Sequence, residues 1–120
     1  MLPEEGDAAF LWDMLDAARA VRDFVSNRSF QDYRNDRMLR GAVERHLEII
    51  GEAARRVSAS FQEAHPEIPW RGIIGLRNLL AHEYGEIKEE RIWTVASERI
   101  PELIARLEPL VPPPPGPEEN

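Results

Sequence analysis

The stretch DRMLRGAVERHLEIIGEAARRVS, residues 36–58, decides the fold class. Leu39, Val43, Ile50, Ala53 and Val57 recur at helical spacing on one stripe, while Arg40, Glu44, Glu48 and Arg55 collect on the other side. A helix of this length with one apolar flank has to bury that flank against other helices. His46 falls on the same apolar stripe, where an imidazole reads as a satisfied core or interface residue, and it is left out of the candidate site.

The neighbouring segments repeat the pattern. Residues 7–27 place Phe10, Leu11, Met14, Ala18, Val21 and Val25 at intervals of three and four, with Asp7 expected as the N-cap. Residues 89–107 do the same with Ile92, Val95, Ala96, Ile100, Leu103, Ile104 and Leu107, and Pro101 inside the run must kink or split it because it has no N–H to donate. Residues 60–68 hold Ala64-His65-Pro66 and read as a short helical turn and a loop, with His65 a loop residue. Pro69 suits the first position of a further helix over 70–84, which Gly85 ends. No segment alternates with period two and no repeat is visible. The expected architecture is all-α, a bundle of four or five helices over residues 1–110. The run Pro-Pro-Pro-Pro-Gly-Pro followed by Glu118 and Glu119 has nothing to bury, so residues 111–120 read as a disordered, proline-rich acidic tail.

Length and composition narrow the function. A chain of 120 residues makes one domain, and 31% charged with 42% apolar residues is the balance of an ordinary globular protein. The absence of cysteine excludes disulfide staples, zinc knuckles and thiol nucleophiles. Three widely separated histidines and no acidic pair at ligand spacing give no metal site, and no cofactor is expected. Residues 1–6 carry two glutamates and no basic region, and no apolar run approaches the roughly 18 residues of a membrane span, which points to a cytoplasmic protein without a membrane partner. With a formal net charge of −7, any contact with nucleic acid has to come from a local cationic site.

Such a site is offered by GLRNLLAHEY, residues 75–84. At about 100° per residue, Trp70, Ile73, Ile74, Arg77, Leu80, Ala81 and Tyr84 share one face, with Arg77 near its centre. A guanidinium in an apolar stripe needs a carboxylate or phosphate to meet it, and a buried Arg to Glu pair within the bundle is the plainest answer. Asn78 and His82, four apart, lie on a neighbouring face with Arg71. Leu76 and Leu79 point away from the Arg77 stripe, so the helix is expected to be buried between two surfaces, a dimer seam being the natural candidate. Tyr84, seven residues after Arg77, is expected above it, either as an aromatic wedge on Ile73 and Leu80 or as a functional group. Glu52 is a candidate partner for Arg77 or a lining residue of the cleft, Glu83 is expected to face solvent, and Arg55 and Arg71 are candidates for the edge of an RNA groove.

Taken in order, Arg77-Asn78, His82 and Tyr84 resemble the R-x4-H-x-Y motif of the HepT-like toxins in the HEPN superfamily. The similarity extends over residues 8–108 through Ala42-Val43-Glu44, Ile49-Ile50-Gly51-Glu52-Ala53-Ala54, Ile68-Pro69-Trp70, Ile92-Trp93 and Pro101-Glu102-Leu103. An R-x4-H alone is weak, but the ordered set is much stronger. The resemblance implies a helical bundle that forms a homodimer with the two motif helices facing one cleft, and metal-independent cleavage of an RNA substrate. Position by position, Arg77 binds the scissile phosphate, His82 moves protons, and Asn78 orients either of them. It further implies a minimal nucleotidyltransferase antitoxin as partner, which attaches AMP to Tyr84 and thereby places bulk and negative charge where RNA phosphate should go.

One geometric difficulty accompanies this. Residues five apart on a straight helix differ by about 140° in direction, so Arg77 and His82 converge only across two chains or if the helix loosens before Gly85. Two other readings stay open: a noncatalytic HEPN-like module that docks a nucleotidyltransferase and is modified by it, and a plain bundle with a buried Arg to Glu pair.

Overall fold

The computed structural model describes residues 5–113, and among them all regular structure is helical. Helices α1 (Glu5–Val25) and α3 (Arg37–Arg56) form the central pair. They run antiparallel, since Asp7 at the start of α1 meets Ser58 just beyond the end of α3. The stripe read from residues 36–58 is the buried one: Leu39, Val43, Ile50, Ala53 and Val57 all lie in the core, joined by Leu47. Against α1 packs a long rod made of α7 (Gly85–Thr94), a π-helical stretch (Val95–Arg99) and α8 (Ile100–Leu107). Helices α5 (Trp70–Ile74) and α6 (Leu76–His82) rest on α3, and two single-turn helices, α2 (Phe30–Asn35) and α4 (Ala59–Ala64), fill the corners. The four-to-five-helix architecture is thus present, with corner turns added.

Several local expectations are corrected. Asp7 is not an N-cap: α1 begins at Glu5, and the Asp7 carboxylate, only 7% exposed, accepts from the Ser58 N–H at 2.8 Å and the Ser58 hydroxyl at 2.6 Å. The Ser58 oxygen in turn caps α4 by accepting from the Phe61 N–H at 3.2 Å, so Asp7 braces the cap of another helix. Helix α2 was not anticipated, because six residues show no stripe. Its signal was the capping box, in which the Ser29 hydroxyl oxygen accepts from the Asp32 N–H at 3.1 Å and the Asp32 carboxylate from the Ser29 N–H at 2.9 Å. The α2 turn buries Tyr33 against Trp93 of α7, with ring centroids 5.7 Å apart.

The helix expected over 70–84 is two helices. It breaks at Gly75, where the Asn78 N–H bonds back to the Gly75 carbonyl at 3.0 Å in a tighter turn, and it stops at His82. Glu83 and Tyr84 are extended, and α7 begins at Gly85, whose φ of +65° suits glycine, rather than at residue 89. Pro101 is absorbed without splitting the rod: the π-helical turn ahead of it widens the backbone. Of the tail expected over 111–120, residues 114–120 lie outside the described residues, while Val111 still packs on the core. Among the described residues no helix is long and apolar enough to cross a membrane.

Candidate functional site

Helix α5 is seated on α3 by Gly51. A Cβ built there would stand 3.1 Å from the Ile73 carbonyl oxygen, so any other residue would press the two backbones a few tenths of an ångström apart. Helix α6 continues from that seat and carries Arg77, Asn78 and His82, all exposed. Between α3 and the α5–α6 pair lies an open cleft of about 1050 Å³. Arg77, Asn78, Ile74 and Leu80 form one wall, Arg45, Ile49, Glu52 and Arg55 another, and Phe10 and Asp13 of α1 close one side. The cleft therefore gathers Arg77 and Asn78. His82 and Tyr84 do not line it.

Arg77 differs most from its expected setting. The break at Gly75 resets the helical phase, so the packed side of α6 is the one carrying Leu76, which is buried, and Leu79, which is half-buried. Arg77 points outward, and it forms no ion pair with any described residue. Glu52, its candidate partner, lines the same cleft but pairs with Arg55 at 2.7 Å and Arg56 at 3.2 Å. Hydrogen bonding from Arg55 is the main reason the Glu52 carboxyl sits below its ordinary range. The buried Arg to Glu pair is absent. The Arg77 face of α6 is open to solvent in the single chain.

Tyr84 is not stacked above Arg77. It lies beyond the end of α6 in extended backbone and is 79% exposed, one of the most exposed large hydrophobic side chains among the described residues. Glu83, expected to face solvent, is half-buried and ion-paired to Arg91 of α7. Since α6 spans both Arg77 and His82, the helix does not loosen between them, and the angular separation read from the sequence persists. The other imidazoles are accounted for structurally. His46 is half-buried, with Nδ1 2.8 Å from the Ala42 carbonyl and its ring edge-on to Phe24, and His65 stacks on Phe61.

An uncommitted guanidinium, an amide and an imidazole on one short exposed helix form a set that can hold a phosphate and move a proton. A family model described as Ribonuclease HepT-like matches residues 14–110, which include α6 and all of α3. The chain belongs to the HepT-like ribonuclease family. Among its relatives, "Putative RNase MJ1380" of Methanocaldococcus jannaschii is 39% identical over 100 residues, covering 83% of this chain and 92% of that protein. "Probable ribonuclease HepT" of Thermococcus cleftensis is 36% identical over 101 residues, covering 84% and 92% respectively. "Putative RNase TTE0752" of Caldanaerobacter subterraneus is 37% identical over 94 residues, covering 78% and 84%. No solved structure matches the chain at a significant level. In this HepT-like chain the residue that sequence reasoning overlooked is Arg91. It meets Glu83 across a helix boundary at a spacing of eight, which no helical or strand periodicity marks.

Proposed function

We propose that this chain is the toxin of a toxin–antitoxin pair, an endoribonuclease that cuts RNA without a metal ion at a cleft shared by two copies. The observation that carries the reading is the state of Arg77: an exposed guanidinium with no carboxylate partner among the described residues, five positions before an exposed His82 on the same helix. Left unpaired, the guanidinium is free to take a phosphate through two parallel hydrogen bonds. RNA brings its own nucleophile. As the 2′-oxygen bonds to phosphorus and the bond to the 5′-oxygen breaks, one proton must leave the 2′-hydroxyl and one must reach the departing oxygen. An imidazole with an unperturbed pKa of about 6.5 can make either transfer near neutral pH. Arg77 stabilises the charge that builds on the phosphate, and Asn78 orients it. Because Arg77 lines the cleft and His82 does not, the reading brings His82 of one copy toward Arg77 of a second, in a homodimer built on α6.

Silencing follows from the position of Tyr84. Its phenol, 79% exposed, is open to an adenylylating antitoxin of the nucleotidyltransferase class. The phenolic oxygen loses its proton and bonds to the α-phosphorus of ATP, pyrophosphate leaves, and the added phosphate places negative charge two residues beyond His82, where it repels an incoming RNA phosphate.

The test is cleavage of RNA by the purified chain in EDTA, with intact mass confirming that Tyr84 carries no adduct. Cleavage is expected from the unmodified chain and is expected to disappear in His82→Ala. The exposure of Tyr84 together with the net charge of −7 favours a second reading, a noncatalytic module that docks a nucleotidyltransferase and is modified by it. A folded, unmodified dimer that leaves RNA intact would overturn the first reading, and the second then predicts that a nucleotidyltransferase transfers AMP to Tyr84 of that dimer.

A further inference from the structure

The link from α6 to α7 turns its side chains in alternate directions. Glu83 (φ −94°, ψ 152°) and Tyr84 (φ −137°, ψ 157°) are both extended, and neighbouring side chains in extended backbone leave on opposite sides. Glu83 is half-buried and turned toward α7, where its carboxylate pairs with Arg91, so Tyr84 is turned out to solvent. The Glu83 N–H donates to the Leu79 carbonyl at 3.2 Å, which carries the same constraint back into the last turn of α6, where His82 sits.

The place of this ion pair in the fold adds a second observation. A groove of about 410 Å³ separates α6 from the rod, with Leu76 and Leu79 on one wall and Arg91, Thr94 and Val95 on the other. Arg91 is therefore both a wall of the gap and the cation that reaches across it to Glu83. The rod is itself anchored beyond this point, through Arg34 to Glu86 at 3.1 Å and Lys88 to Glu44 at 3.1 Å.

We infer that Glu83 and Arg91 are positioning residues, whose ion pair ties the end of α6 to α7 and thereby sets the direction of His82 and the exposure of Tyr84. What those two side chains do rests on the function proposed above; the geometry of the link does not. The pair also neutralises a carboxylate next to His82 that would otherwise repel an incoming phosphate. A half-exposed pair adds little to global stability, so its effect should appear in orientation.

The test uses the full chain with Arg91→Ala and Arg91→Lys and two readouts. In RNA cleavage with EDTA present, Arg91→Ala is expected to lower kcat roughly tenfold or more at unchanged KM, and Arg91→Lys to recover most of it. In amide hydrogen exchange, Arg91→Ala is expected to speed exchange at Glu83, whose N–H is held by the Leu79 carbonyl, while Ile50 in the core stays protected. Wild-type exchange at Glu83, or an equal rise at Ile50, would overturn the inference, as would an unchanged kcat in Arg91→Ala. If the wild-type chain cuts no RNA, the nuclease reading fails by itself, and exchange at Glu83 alone then supports or overturns the link.

Discussion

At the scale of single residues, the exposure of Arg77 makes its replacement informative. A guanidinium packed in the core would have confounded lost activity with lost stability; an exposed one without an ion pair among the described residues does not. Arg77→Ala is expected to leave the free energy of unfolding within about 0.5 kcal/mol of wild type. It is expected to reduce RNA cleavage by about 100-fold or more, the scale seen when one donor to a developing charge is removed. Urea unfolding and kcat/KM measured on one preparation check both halves. Arg77→Lys should recover little, since an ammonium offers no planar fork to a phosphate.

At the scale of elements, the site depends on how α5 and α6 are seated. Gly51 lets the α3 backbone come within reach of the Ile73 carbonyl, and Gly75 then turns the chain so that Arg77 faces the cleft. Gly51→Ala places a methyl against backbone rather than a yielding side chain. The strain of about 1–3 kcal/mol is offset by the roughly 1 kcal/mol that alanine gains over glycine inside a helix, so a net cost of up to about 2 kcal/mol is expected, read as a shift of the urea midpoint at constant slope. RNA cleavage should fall along with it, because α6 moves with α5. Gly85, read as the end of a helix, opens α7, but the positions of α1 and α3 were legible from period alone and the loop before Trp70 from its prolines. The break at Gly75 was not: a glycine within a helical pattern is usually tolerated, and only the close packing of α5 on α3 shows that this one ends a helix.

At the scale of the whole molecule, the surface charges are largely spent on each other. Arg34, Arg45, Arg55, Arg56, Lys88 and Arg91 all have carboxylate partners, which leaves Arg37, Arg71, Arg77 and Arg106 without an ion pair among the described residues, in a chain of net charge −7. RNA binding through so few uncommitted cations should depend only weakly on salt. The proposed sharing of His82 and Arg77 between two copies carries a concentration dependence. Specific activity is expected to fall on dilution as the dimer dissociates, and mixing Arg77→Ala with His82→Ala chains should restore part of the activity. Constant specific activity down to the monomer, seen by sedimentation alongside the assay, would place the whole site in one chain.

The amino-acid order by itself determined that the chain is helical, where the longest helix runs and which of its faces is buried. Those properties reside in spacing and residue type, which a linear sequence carries in full. Only the tertiary structure decided that Arg77 is free rather than buried against a glutamate, that Tyr84 leaves the helix for solvent, that Asp7 braces the cap of α4, and that Arg91 reaches back to Glu83. Each of these depends on a helix end or on a contact between distant segments. A period of 3.6 residues reports the face of a helix while the helix lasts, and says nothing of where packing ends it or what then lies across the gap.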